Sequence, residues 1–190
     1  MSENRNSECG WRLLEPGCIL GHEFAGEIVE VGKSINGIWR KGDRVTSLPW
    51  IGCGTCAPCR HGRPYRCPSV VMRASLDLPG AYSEFCRVGA AEALRLPDGV
   101  GFEEGALVEP LAVGFNAVQR GNIEAGDTVF IMGAGPVGLS VALWCRFVGA
   151  QHIFVSDLSE ERTTAALNFG ATTAVNISHG DVCEQILDQA

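Results

Sequence analysis

Apolar and polar positions change rhythm along the chain. Residues 23–31, EFAGEIVEV, alternate with a period of two and predict a half-buried strand that Gly32 ends. After a polar turn, Asp43 and Arg44 introduce a second short β run. Residues 50–73 are rich in Cys, Gly, Pro and Arg and have no period, which predicts a loop that something other than an apolar core must hold. Strand-like patterning returns in AYSEFCRV (81–88) and ALRLP (93–97). Near Phe102 the texture becomes helical: Leu107, Leu111 and Phe115 recur every four residues, with Pro110 as an interruption. DTVFIM (127–132) then predicts a buried strand, 133–138 a glycine-rich turn, and 137–148 a helix. A second strand over 153–156 ends at Asp157. Ser159 can cap a helix reaching Leu167, with Glu160 and Glu161 in its first turn. A third strand is predicted over 174–177 and a further helix over 181–187. Strands alternating with helices imply parallel β-α-β units. Residues 1–20 show little pattern, a domain boundary falls between about 100 and 125, and there is no internal repeat.

Composition narrows the classes. Of 190 residues, 46% are hydrophobic and 19% charged, which excludes a disordered chain. No apolar run approaches the roughly 20 residues needed to cross a bilayer. The balance of 15 Lys and Arg against 22 Asp and Glu gives −7, which argues against a nucleic-acid partner. The first residues lack the basic start and apolar centre of a signal peptide, so a cytoplasmic location is expected. Nine cysteines, an odd number without a secretory signal, argue against a disulfide framework.

Four of those cysteines, Cys53, Cys56, Cys59 and Cys67, fall within fifteen residues. Four thiolates on a short loop can close around one tetrahedral zinc ion and leave no position for substrate. Interleaved glycines and Pro58 allow the turns, and Arg60, Arg63 and Arg66 could offset the negative charge. Structural zinc is preferred to an iron–sulfur cluster, which uses the same donors, and to a chance grouping of thiols. The second motif is Gly133-Ala-Gly135-Pro136-Val137-Gly138, a GxGxxG between a predicted strand and a predicted helix. Asp157 ends the following strand about 20 residues on, as in the dinucleotide fingerprint. Gly133 makes the turn, Gly135 admits the pyrophosphate, Gly138 allows helix–strand contact, and the helix N-terminus stabilises phosphate charge. Asp157 can accept from both ribose hydroxyls and would repel a 2′-phosphate, so NAD is preferred to NADP. Arg162 completes the candidate cofactor set. The alternative is a plain βα turn with a solvated aspartate.

GHEFAGEIVEVG, GDRV, the four-cysteine loop, LVEPLAV and GAGPVG occur here in one order. From about residue 19 to the end, the chain resembles the zinc-containing, medium-chain alcohol and polyol dehydrogenases, in particular the sorbitol and threonine dehydrogenase branch. The resemblance implies a mixed α/β fold: an incomplete GroES-like β-barrel domain over 21–110, with its zinc loop at 50–70, then the first half of an NAD-binding Rossmann domain over 111–190. It implies that His22, Glu23 and Glu109 serve a catalytic zinc and that Cys53, Cys56, Cys59 and Cys67 hold the structural one. It also implies hydride transfer from an alcohol or polyol to NAD, and a homo-oligomer in full-length members. The family's catalytic-zinc cysteine, in a Cys-Gly-x-Cys-Gly stretch well upstream of the histidine, has no counterpart; Cys9 and Cys18 lie in other contexts. The sequence therefore reads as a piece of such an enzyme cut at both ends. The competing expectation is a zinc- and nucleotide-binding remnant without turnover. A zinc-ribbon nucleic-acid binder conflicts with the charge.

Overall fold

A computed structural model describes residues 16–35 and 37–187. The chain divides into two compact units, 1–106 and 107–190.

In the first unit, β1 (Ala25–Glu27), β2 (Arg44–Ser47) and β5 (Ala93–Arg95) form an antiparallel sheet in the order β1-β2-β5. The register pairs Gly26 with Val45 and Val45 with Arg95. Val45, Thr46 and Ser47 are buried because β2 is the central strand. Asp43, buried just before β2, receives Arg95 at 2.6 Å and the Arg40 amide at 3.0 Å. The Arg95 guanidinium also lies over the Trp39 ring, and Trp39 Nε1 donates to the Ala90 carbonyl. A second, two-stranded ribbon pairs β3 (Trp50–Ile51) with β4 (Val71–Met72). The chain between them carries α1 (Ala57–Arg60) and a 3-10 turn (Pro64–Arg66). The unit ends in α2 (Phe102–Ala106).

Three sequence expectations need correction here. The strand predicted over 23–31 is regular only at Ala25–Glu27, with Ile28 adding one further pair of backbone bonds to Asp43 and Gly42. Residues 81–88 form no strand; the chain there bends, and Tyr82 and Phe85 are exposed. The stretch 50–73 is not a plain loop, since a ribbon and two short helical turns organise it.

The second unit opens with α3 (Val108–Arg120). The helical break comes at Leu107, not at Pro110. Pro110 sits in the first turn of α3, where its missing N–H would have no intrahelical partner anyway. There follow β6 (Thr128–Met132), α4 (Pro136–Val148), β7 (His152–Asp157), α5 (Glu160–Asn168), β8 (Thr173–Asn176), a 3-10 turn (Ile177–His179) and α6 (Val182–Leu187). The three strands are parallel in the order β6-β7-β8, with Phe130 opposite Phe154 and Val155 opposite Ala174. Ile131, Ile153 and Val155 from one sheet face join Val118, Ala142, Cys145 and Ala166 in the core. Gly114 lets α3 approach α4, because a Cβ there would lie 2.1 Å from the Ser140 hydroxyl. Trp144 Nε1 donates to the Leu111 carbonyl at 2.8 Å across the same contact. Ser159 caps α5, accepting the Arg162 amide as its sequence position predicts. Among the described residues, no helix is long and apolar enough to cross a membrane.

Candidate metal and nucleotide sites

The β3–β4 ribbon closes the base of the cysteine loop, and α1 turns the chain so that its thiols converge. The Sγ atoms of Cys53, Cys56, Cys59 and Cys67 all lie within 4.8 Å of one another. A tetrahedral zinc with bonds of about 2.3 Å sets its sulfurs roughly 3.8 Å apart, so the donor set fits that ion. Backbone amides already point at the sulfurs: Cys53 N–H donates to Cys67 Sγ at 3.4 Å, Ser69 N–H to the same sulfur at 3.3 Å, and Cys56 N–H to Cys53 Sγ at 3.3 Å. Such bonds favour the thiolate form that metal binding requires. The Thr55 hydroxyl, helped by the Thr55 and Cys56 amides, brings the exposed Cys53 thiol down to about 5. For Cys56 the Cys59 amide acts downward, but burial and the neighbouring thiols outweigh it and push it up to about 12. Crowded thiols cannot all ionise without a cation among them. Arg60, Arg63 and Arg66 lie exposed around the loop.

In the second unit, β6 runs into Gly133, whose φ of +98° favours glycine. Gly133 N–H donates to the Ser156 carbonyl at 2.7 Å, which pins the turn to β7. A Cβ on Gly138 would lie 1.9 Å from the Gly133 carbonyl oxygen, so only glycine allows α4 to start this close to the turn. Gly135 is the N-cap of α4, Pro136 follows at its start, and no neighbouring heavy atom lies within 4 Å of a Cβ at Gly135. The result is an open helix N-terminus whose first-turn N–H groups have no intrahelical acceptor, a geometry suited to an anion. Asp157 is not the freely solvated carboxylate of the bland alternative. Its Oδ2 accepts the Ala134 amide at 2.8 Å and its Oδ1 the Ser159 amide at 3.0 Å. Those amides, with Arg162 Nη1 at 3.9 Å, hold its carboxyl below the usual range. A carboxylate has about four acceptor positions, so the amides do not exhaust its capacity to accept from a ligand.

His22 and Glu23 are exposed on the first unit, immediately before β1. The residues on either side are fixed. The Gly21 carbonyl accepts the Ala81 amide at 2.9 Å, and a Cβ on Gly21 would lie 2.6 Å from the Tyr82 ring. The Phe24 carbonyl accepts the Thr46 hydroxyl at 2.8 Å, and the Arg73 guanidinium lies 4.7 Å from the Phe24 ring centre. Glu109 is half-buried in the first turn of α3, on the second unit. Cys18 is half-buried and joins no group of three potential metal ligands among the described residues; Cys9 lies outside those residues. Sequence reasoning missed Arg73, a buried cation that donates to the Pro79 and Arg87 carbonyls, and Glu92 at the foot of the cysteine loop. No period or spacing marks either one, since each acts through partners distant in sequence.

Residues 4–98 match the alcohol dehydrogenase GroES-like domain, half of the chain. The chain belongs to this family. It is 39% identical over 181 residues to a sorbitol dehydrogenase of Bacillus subtilis (strain 168), covering 95% of this chain and 51% of that protein. It is 37% identical over 160 residues to an L-threonine 3-dehydrogenase of Aeromonas hydrophila, covering 84% and 46%. A crystal structure from Sinorhizobium meliloti 1021, described as a zinc-binding dehydrogenase bound to NADP, superposes with a TM-score of 0.80 at 34% identity, covering 90% of this chain and 49% of that one. The chain thus spans about half the length of the relatives it matches. The mixed α/β fold, with its GroES-like first unit and a partial Rossmann arrangement in the parallel sheet, agrees with the expectation from sequence.

Proposed function

We propose that this chain is the metal- and dinucleotide-binding part of a zinc-dependent oxidoreductase that transfers hydride between a small alcohol or polyol and NAD. The observation that carries the reading is the conjunction, in one member of this family, of four convergent thiols with an open glycine-lined helix N-terminus backed by Asp157. Cys53, Cys56, Cys59 and Cys67 hold a structural zinc. His22, Glu23 and Glu109 are assigned to a second, catalytic zinc because they stand in the motifs GHE and VEP. Bound zinc and NAD would supply a lowered hydroxyl pKa and a hydride acceptor respectively. The chain's own part is to bind and orient. The amides at the start of α4, with Gly133, Gly135, Pro136, Val137 and Gly138 around them, receive the pyrophosphate. Asp157 accepts from the adenosine ribose hydroxyls and Arg162 flanks it. The thiol-rich loop suits a reducing compartment, which supports a cytoplasmic location. β6, at the sheet edge with Phe130 and Met132 exposed, supports self-association.

A second reading, a zinc- and nucleotide-binding protein without turnover, is favoured by the position of Cys18 outside any group of three potential ligands among the described residues. Metal analysis and an assay decide between them. Two zinc ions per chain, with NAD reduction by sorbitol, xylitol, threonine or butanediol that is abolished in His22→Ala, support the enzyme. One ion and no turnover support the second reading. No zinc at all overturns both.

A further inference from the structure

Glu92 immediately precedes β5 and is only 4% exposed. No Lys or Arg forms an ion pair with it among the described residues. Its Oε1 accepts the amide hydrogen of Gly52 at 3.0 Å. The next amide, that of Cys53, donates to Cys67 Sγ at 3.4 Å. Two consecutive N–H groups at the mouth of the cysteine loop therefore end on Glu92 and on a candidate metal ligand. This fixes the peptide plane from which the Cys53 side chain departs.

The space around the carboxylate is kept clear by residues without side chains. A Cβ on Gly89 would lie 2.0 Å from Glu92 Oε2. A Cβ on Gly52 would lie 2.8 Å from Cys59 Sγ and 3.4 Å from Glu92 Oε1. Burying a carboxylate without a cation is costly, and placing it beside thiols that must become thiolates adds repulsion. Both costs are local, so the compensation should be local too. The loop-side group that Oε1 holds is the Gly52 amide, the first donor of the metal loop.

We propose that Glu92 is a positioning residue of the four-cysteine centre, holding the Ile51–Gly52 peptide, and through it the chain entering Cys53, so that Cys53 Sγ is presented toward Cys67 and the other thiols. The proposal rests on reading the four thiols as a zinc site. It makes the loop's hold on metal depend on a residue that does not touch the metal, as outer-shell partners of metal ligands do.

The test measures zinc transfer from the folded protein to a chromophoric chelator, together with the cobalt(II) absorption of the metal-exchanged protein. Glu92→Ala should release zinc about tenfold faster, the lower end of the outer-shell range, and weaken the tetrahedral cobalt–thiolate bands. Glu92→Gln, whose amide oxygen can still accept the Gly52 hydrogen, should stay within about twofold of the wild type. Gly89→Ala leaves Glu92 in the sequence but forces its carboxylate aside, and should reproduce Glu92→Ala; it carries the test if that variant does not fold. Val45→Ala, a cavity in the central strand, serves as the control for general destabilisation and should leave zinc release unchanged. Zinc release at the wild-type rate in both Glu92→Ala and Gly89→Ala overturns the role of Glu92. So does Gln behaving as Ala, or Val45→Ala behaving as Glu92→Ala. A wild-type protein that binds neither zinc nor cobalt at these cysteines overturns the zinc reading itself.

Discussion

Two aspartates in this chain are held ionised by different means, and each makes its own prediction. Asp43 is fixed chiefly by the Arg95 guanidinium, with the Arg40 amide and side chain added, and its carboxyl lies well below the usual range. A carboxyl whose folded pKa is depressed contributes stability that is complete above its unfolded value, near 3.8, and is lost as pH falls from there toward the folded one. Asp43→Asn should therefore be less stable than the wild type at pH 6. The gap between their urea midpoints should narrow as the pH is lowered below about 4. A gap that stays constant down to pH 3 would assign the loss to packing instead. Asp157 is fixed by backbone amides, those of Ser159 and Ala134. Its remaining acceptor positions suit ribose hydroxyls, whereas a 2′-phosphate would meet its charge. Wild-type protein should bind NADH at least about tenfold more tightly than NADPH, a difference of about 1.4 kcal/mol. Asp157→Ala should weaken NADH binding, relieve the repulsion of NADPH and so shrink the ratio, as read by fluorescence titration of each cofactor. Equal wild-type affinities would remove this role from Asp157. The NADP in the Sinorhizobium neighbour makes the comparison a necessary one.

At the scale of elements, close approaches decide which substitutions fail. A Cβ on Gly114 would meet the Ser140 hydroxyl at 2.1 Å and the Ser140 backbone carbon at 2.8 Å. Gly114→Ala should push α3 from α4 and lower stability by about 1–3 kcal/mol, the usual cost of overpacking. Ser140→Ala should not restore it, because the backbone contact stays. Full rescue in the double variant would show that the side chain alone set the distance. The same scale explains what the sequence could reveal. β6, α4, β7 and α5 fall within a residue or two of their expected bounds, because each is a short apolar run or a periodic face bracketed by Gly133, Gly149, Asp157 or Ser159. The thiols and the glycine turn were legible for a similar reason: their chemistry needs particular residues at particular spacings. The strand patterns at 23–31 and 81–88 misled, because alternation reports which side chains face inward and not whether a backbone neighbour exists to complete the ladder. In 81–88 the polar groups go elsewhere: the Ala81 and Tyr82 amides bond the Gly21 and Leu20 carbonyls, and the Ser83 hydroxyl bonds the Gly80 and Phe85 carbonyls. Glu92 and Arg73 were invisible for the same physical reason, since a buried charge leaves no periodic trace.

At the scale of the whole molecule, the chain has two independent sources of order. The second unit has its own core, with Ile131, Ala142, Cys145, Ile153, Val155 and Ala166 among its buried members. The stretch from β3 to β4 has almost no apolar interior: α1 and the 3-10 turn bury no residue, and Cys67 is the buried member of the cluster. On the reading proposed here, metal replaces the missing core in that stretch, and its binding free energy is local folding free energy. Removing zinc with a chelator, or breaking the shell with Cys56→Ser, should then raise hydrogen–deuterium exchange through residues 50–73. Exchange at β6 and β7 should not change, because their amides are protected by strand pairing and by a core that contains none of the four cysteines. The midpoint for unfolding of the second unit should likewise stay where it is. If β6 and β7 lose protection together with the loop, the two units unfold as one cooperative body and the separation of their cores has no energetic meaning. If the loop keeps its protection without metal, then the N–H···S bonds and the Trp50–Tyr65 contact suffice to order it, and zinc is not what holds the thiols together.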